Sequence, residues 1–239
     1  VNVSAPFFVS AFMSKKNTMT GNFTGKIKEK LVAAKRKWAS DGRLLTGITD
    51  PDRANRLPPG QRLVTDWPVL DIGITPHVAP EDYQLEINGQ VKTPISLSFG
   101  DLLDLPHVTA KNDIHCVTSW SRYDNHWQGI LATTLAEMVG PLPAARHVLF
   151  NAHDGYTTNV RIDQFLDDDV LLAHHWEGEP LSEEHGGPVR VVIPKLYFWK
   201  SAKWVRKITF ARDDKPGFWE ERGYHNNADP WTEQRYDND

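Results

Sequence analysis

The sequence predicts an α+β domain with mixed β-sheets and short helices. Three observations carry that expectation. Short apolar or alternating segments recur from Tyr83 to Phe210. The helical stretches between them are brief. No regular strand–helix–strand alternation links them, which argues against a doubly wound parallel sheet.

The elements follow in order. Tyr83 to Ile87 alternates as a strand, Asn88-Gly89 is a hairpin signal, and Gln90 to Leu97 is the expected return strand. Ser98 to Leu105 reads as a short helix stopping before Pro106, and Val108 to Val117 as a strand. Thr134-x-x-Glu137 has the spacing of a capping box and Gly140 that of a helix stop, so a helix is expected over Thr133 to Val139. Arg146 to Phe150 is a strand, Arg161 to Leu166 a helical turn, and Val170 to His175, Val189 to Ile193 and Trp204 to Phe210 are further strands.

The flanks differ in composition. Val1 to Phe12 is mildly apolar, without a basic start or twin arginine, and reads as a leader or upstream extension before a start near Met13 or Met19. Lys26 to Trp38 reads as a basic helix, either solvated on the main body or a contact for an anionic partner. Asp41 to Arg62 is rich in Pro, Gly, Asp and Arg, as in an arm or linker. Residues 1–62 therefore form an N-terminal extension. Residues 63–239 form the main domain, whose aromatic, charged tail from Asp213 is expected to wrap the surface.

Bulk properties exclude some functions. With 27 Lys+Arg against 31 Asp+Glu the chain has a formal charge of −4, so it presents no global basic field for nucleic acid. No apolar run reaches the roughly 20 residues of a membrane span. Without a recognisable export signal in the sequence and with a single cysteine, the expected compartment is the cytoplasm, with the periplasm still open.

That cysteine is the focal residue. Cys116 cannot form an internal disulfide, so it is a packing residue, a reactive thiol or a metal ligand. It ends an alternating run (Val108, Ala110, Ile114) and precedes small polar residues, then Trp120, Tyr123 and Trp127. A side chain at the end of a strand, beside hydroxyls and indoles, is placed to border a cleft. His115 should face away from Cys116 on a strand, which argues against a dyad of these neighbours.

Six stretches now align in one order: His115-Cys116-Val117-x-x-Trp120-Ser121; Trp127-x-Gly129; Asp154-Gly155-Tyr156-Thr157-Thr158; Gly178-x-Pro180-Leu181; His185-Gly186-Gly187-Pro188-Val189-Arg190 with Pro194; and Lys200-Ser201-Ala202-Lys203-Trp204. This set, spanning roughly residues 63 to 235, resembles the molybdenum-cofactor domain of the sulfite oxidase family. It is most similar to the bacterial sulfite oxidase-like branch, which includes catalytic subunits of protein-methionine-sulfoxide reductases. The resemblance implies one molybdenum and one pyranopterin, with the Cys116 thiolate as metal ligand, a soft donor suited to a metal already held by sulfur. It implies that His185, Arg190, Ser201, Ala202 and Lys203 hold the cofactor, Arg190 as a bidentate clamp on its phosphate. Asp154 would accept from pterin N–H groups, or be a turn residue before Gly155. Tyr156 would be the active-site tyrosine, or a core residue. Trp120, Tyr123 and Trp127 would line the substrate funnel.

The sequence also departs from that family. Where animal and plant sulfite oxidases carry an Arg-Asn-His stretch, this chain has Leu70-Asp71-Ile72-Gly73-Ile74-Thr75. The cysteine is followed by Val-Thr-Ser-Trp-Ser rather than Ala-Gly-Asn-Arg. Two anion-gripping arginines are thus missing, unless Arg122 or Arg161 replaces them in space. The implied activity is two-electron oxygen-atom transfer on a small oxyanion, S-oxide or N-oxide, in either direction, with an external electron donor or acceptor protein. Two other readings remain: a non-catalytic molybdopterin-binding or interaction protein, and a zinc hydrolase built on His174, His175 and His185. The zinc reading lacks a His-Glu-x-x-His motif, and adjacent His174 and His175 are expected to point to opposite faces.

Overall fold

In the computed structural model, residues 56–238 are described. The expected leader, the basic helix and most of the linker lie outside them. Two sheets carry the fold. The first has six strands: β1 (Arg62–Leu63), β4 (Val108–Cys116), β5 (Trp120–Leu131), β8 (Leu171–Trp176), β9 (Glu179–Pro180) and β10 (Arg190–Val192). Its path runs β1-β5-β8-β10, with β4 on β5 and β9 on β8. The second has five: β2 (Gln84–Gly89), β3 (Ile95–Ser98), β6 (His147–Ala152), β7 (Thr157–Arg161) and β11 (Val205–Ala211), ordered β3-β2-β11-β6-β7. β1–β5 and β2–β11 are parallel and the other pairings antiparallel, so the sheets are mixed as expected. Three short helices interrupt them: α1 (Phe99–Leu103), α2 (Ala132–Val139) and α3 (Ile162–Phe165). Among the described residues no helix is long and apolar enough to cross a membrane.

One hydrophobic cluster draws on both sheets, with Ile130, Leu172 and Val191 from the first and Leu85, Val148 and Phe210 from the second. Local chemistry explains several boundaries. Ser98 and Asp101 form a reciprocal capping box that starts α1. Gly140 ends α2 in the left-handed region at φ 59°. Gly129 lets β5 approach β8 closely, since a Cβ there would sit 2.2 Å from the Leu172 carbonyl oxygen.

Several expectations need correction. The return strand begins at Ile95, not Gln90, because β2 continues through Gly89 to pair with Phe210 of β11. α2 starts at Ala132, with Leu131 as an N-cap that makes no side-chain bond, so Thr134 and Glu137 lie inside the helix and do not cap it. The helix follows straight on from β5, which ends at Leu131, and the Ala132 N–H is taken by the Val170 carbonyl 3.0 Å away. β5 itself and β7 were not anticipated as strands. The tail does more than wrap: Phe218, Trp219, Tyr224 and Ala228 are buried in the core.

Candidate active site

The hairpin of β4 and β5 places Cys116. Its residues pair as Cys116 with Trp120 and His115 with Ser121, and Val117, Thr118 and Ser119 form the turn. Ser119 closes it at φ 69°, its N–H donating to the Cys116 carbonyl at 3.0 Å. Gln61 Nε2 donates to the same carbonyl at 3.1 Å, so residues just ahead of β1 help hold the strand end. The Thr118 hydroxyl lies 3.1 Å from Cys116 Sγ, a donor suited to a thiolate.

Cys116 stands on the wall of a cleft that opens to solvent. Asp154, Tyr156, His185, Arg190, Ser201 and Lys203 share this wall, so the structure brings together seven of the eight expected site residues. Ala202 is buried behind it, its carbonyl accepting from the Val191 N–H at 2.9 Å.

Arg190 is the dominant charge. It is 2% exposed. Nη1 donates to the His185 carbonyl at 2.8 Å and Nη2 to the Ser201 carbonyl at 3.0 Å. Its guanidinium carbon lies 4.3 Å from the Phe198 ring centre and 5.2 Å from that of Trp67. Among the described residues no carboxylate pairs with it. Burial pulls its pKa down to about 9. A buried cation held by neutral carbonyls and aromatic faces is one whose counter-charge must come from a ligand. His185 stacks flat on Trp67 with ring centres 3.8 Å apart, and burial with the nearby Arg190 and Lys203 charges lowers its pKa to about 4. Lys203 Nζ donates to the Glu184 carbonyl at 2.8 Å, and the Ser201 hydroxyl accepts from the Ile193 N–H at 2.9 Å.

Tyr156 is buried, its hydroxyl donating to the Trp199 carbonyl at 2.6 Å. Burial, then the nearby Glu220 carboxylate, raises its pKa well above the usual phenol value, so it keeps its proton. Asp154 accepts from the Tyr156 N–H at 2.9 Å, the side-chain turn expected before Gly155, and still lines the cleft.

The model of the oxidoreductase molybdopterin binding domain matches residues 72–219. The chain belongs to that family. It is 48% identical over 188 residues to the uncharacterized oxidoreductase YuiH of Bacillus subtilis (strain 168), covering 77% of this chain and 94% of the relative. It is 27% identical over 172 residues to the protein-methionine-sulfoxide reductase catalytic subunit MsrP of Campylobacter jejuni, covering 63% of this chain and 58% of the relative. Among solved structures it resembles the sulfane dehydrogenase SoxCD from Paracoccus pantotrophus, with a TM-score of 0.57, 22% identity and coverage of 66% of this chain and 46% of that one. That likeness shows the fold. The chain thus spans most of the Bacillus relative and about half of the MsrP and SoxCD chains.

The wall residues of this molybdopterin-binding domain fit its cofactor. A sulfur donor and a buried arginine without a carboxylate face one cleft, and Trp67, Trp199 and Trp204 give it flat aromatic walls. The chain is a molybdopterin-dependent oxidoreductase.

The other expected residues divide between the cleft and the rest of the fold. Trp120 lines the cleft, whereas Trp127 is core and Tyr123 packs under Arg56 with the guanidinium carbon 4.5 Å from its ring. His115 is buried away from the cleft and bonds Ser121 Oγ at 2.8 Å. Arg122 bonds Glu177 at 3.1 Å and Arg161 bonds Asp163, so neither replaces the missing arginines on the wall. His174 and His175 do not point apart. His174 is the extra residue of a bulge, between the pairs Gln128–His175 and Gly129–Ala173, and the two rings touch. Among the described residues no ring contact or bond joins either to His185, which leaves the zinc site without its third ligand. Lys200 is not solvated: it is fully buried against Glu220.

Sequence reasoning missed Trp67, Trp199, Trp219 and Tyr224 as wall residues. Nothing local marks them, because the contacts that place them lie far away along the chain. Glu220, behind the wall, was missed for the same reason.

Proposed function

We propose that this chain carries one molybdenum and one pyranopterin in the Cys116 cleft and transfers an oxygen atom to or from a small sulfur- or nitrogen-containing substrate. The observation that carries the reading is the pairing of Cys116 Sγ with the buried Arg190, lacking any carboxylate, on one wall. MsrP, a relative named for sulfoxide reduction, supports an S-oxide as the substrate class. The absence of Arg122 and Arg161 from the wall favours a neutral oxide over a sulfite anion.

When bound, the cofactor supplies the two-electron redox chemistry; the protein orients it and controls the surroundings. Cys116 gives the thiolate ligand and the Thr118 hydroxyl donates to that sulfur. Arg190, with Lys203, His185 and the Ser201–Ala202 backbone, holds the phosphate end. Asp154 accepts from pterin N–H groups. Tyr156 lines the cleft and retains its proton at Oη, committed to the Trp199 carbonyl. An external donor or acceptor protein exchanges the electrons. The lone cysteine suits the reducing cytoplasm, and the reading places the chain there.

Elemental and pterin analysis of purified protein, followed by a dye-linked screen in both redox directions, tests the reading. Stoichiometric molybdenum with turnover of an S-oxide supports it. Bound pterin with no turnover would favour a non-catalytic role.

A further inference from the structure

One buried carboxylate behind the cleft has four donors. Glu220, in the tail turn Glu220–Arg222, is 6% exposed. Its Oε1 lies 2.7 Å from Lys200 Nζ and accepts from Trp199 Nε1 at 3.0 Å and Thr158 Oγ1 at 2.9 Å. Its Oε2 accepts from the Gly217 N–H at 3.1 Å. Three donors converge on Oε1 and one on Oε2, so both oxygens of the carboxylate are engaged. Lys200 is satisfied in turn by the backbone and side-chain oxygens of Asn159, at 2.8 and 3.1 Å. Three segments distant in sequence are thus tied at one point: β7, the 198–201 turn and the tail.

The tie lies next to the cleft. Trp199, which gives its indole N–H to Glu220, gives its carbonyl to the Tyr156 hydroxyl at 2.6 Å. Trp219 and Tyr224, either side of Glu220, line the same cleft. A shift of this carboxylate therefore moves the acceptor that aims Tyr156. Lys200 is thus an anchor behind the cleft, while Lys203 of the same stretch faces it.

We infer that Glu220 is a positioning residue for the cleft chemistry: by holding Trp199, Lys200 and Thr158 together it fixes where the Tyr156 hydroxyl points. The inference rests on the proposed oxygen-transfer site for its kinetic arm only. Its structural arm uses the cofactor-free protein, labelled with 13C at tyrosine Cζ, with the Tyr156 signal identified by its loss in Tyr156→Phe. Glu220→Gln should shift the Tyr156 signal and leave that of Tyr83, which bonds the Val205 carbonyl, in place. Glu221→Gln, whose side chain is 61% exposed, should shift neither. An unmoved Tyr156 signal in folded Glu220→Gln overturns the role. Should that variant not fold, Lys200→Met/Glu220→Leu removes both charges together, leaves no unpaired buried ion and is read the same way.

The kinetic arm uses loaded enzyme with dimethyl sulfoxide and reduced benzyl viologen. Glu220→Gln should lower kcat/KM by about tenfold in the parent and by less than about twofold in Tyr156→Phe, because coupled residues are not additive. Equal losses in both backgrounds contradict positioning through Tyr156. If the parent does not turn over the probe, the substrate reading is what fails, and the tyrosine signal alone decides the role of Glu220.

Discussion

Arg190 donates through Nη2 to the carbonyl oxygen of Ser201, 3.0 Å away, and this bond fixes a buried guanidinium beside the turn that closes the cleft. With carbonyl oxygens as its protein partners, the cation is costly until an anion arrives. Arg190→Met, of similar reach but uncharged, should therefore melt at or above the parent when both are cofactor-free. It should retain less than about a tenth of the parent's pterin and molybdenum, since a bidentate charged contact is lost. Calorimetry and metal analysis check the two halves. Unchanged cofactor content removes the clamp role.

Acid stability should depend on the buried histidines. Burial, with His175 and His107 beside it, lowers the His174 pKa to about 4, and His185 is lowered to about 4 as well. The unfolded chain takes up these protons near pH 6.5, before the folded chain does. Stability is therefore full above about pH 6.5 and falls as pH drops toward about 4. The slope cannot exceed about 1.4 kcal/mol per pH unit for each histidine, because each takes up one proton. Urea unfolding of cofactor-free protein at several pH values measures it, and His174→Phe should flatten part of the slope.

The pair of Lys200 and Glu220, with side chains 0% and 2% exposed, should respond differently to single and double replacement. Lys200→Ala leaves a buried carboxylate without its cation and should cost about 3–5 kcal/mol. Lys200→Met/Glu220→Leu should stay within about 2 kcal/mol of the parent, because both charges leave together. Denaturant titration distinguishes them, and equal losses would mean that packing, not charge, dominates the site.

Much of the site was legible because its signals are local. Ile114 and Cys116 alternate up to a polar turn, and the structure puts Cys116 at that strand end on the cleft. The ordered motifs around Asp154, His185 and Arg190 come together on one wall of the cleft. β5 escaped notice because several of its buried positions are Ser121, Asn125 and Gly129, which leave no apolar alternation to read. β7 buries Thr158 and Asn159 for polar partners in the tail, with the same effect. The contact of His174 with His175 depends on a one-residue bulge set by the close approach of Gly129 to β8, a tertiary event with no sequence signature. Nothing local marks Lys200 as buried, because its partner Glu220 lies in the tail, twenty residues on.

The most direct test is X-ray absorption at the molybdenum edge, comparing the parent with Cys116→Ser at matched metal content. The account predicts molybdenum bound by three protein or pterin sulfurs in the parent and one fewer in the variant. The same number of sulfur neighbours in both, or a parent that holds no molybdenum when expressed with its cofactor supply, would contradict it.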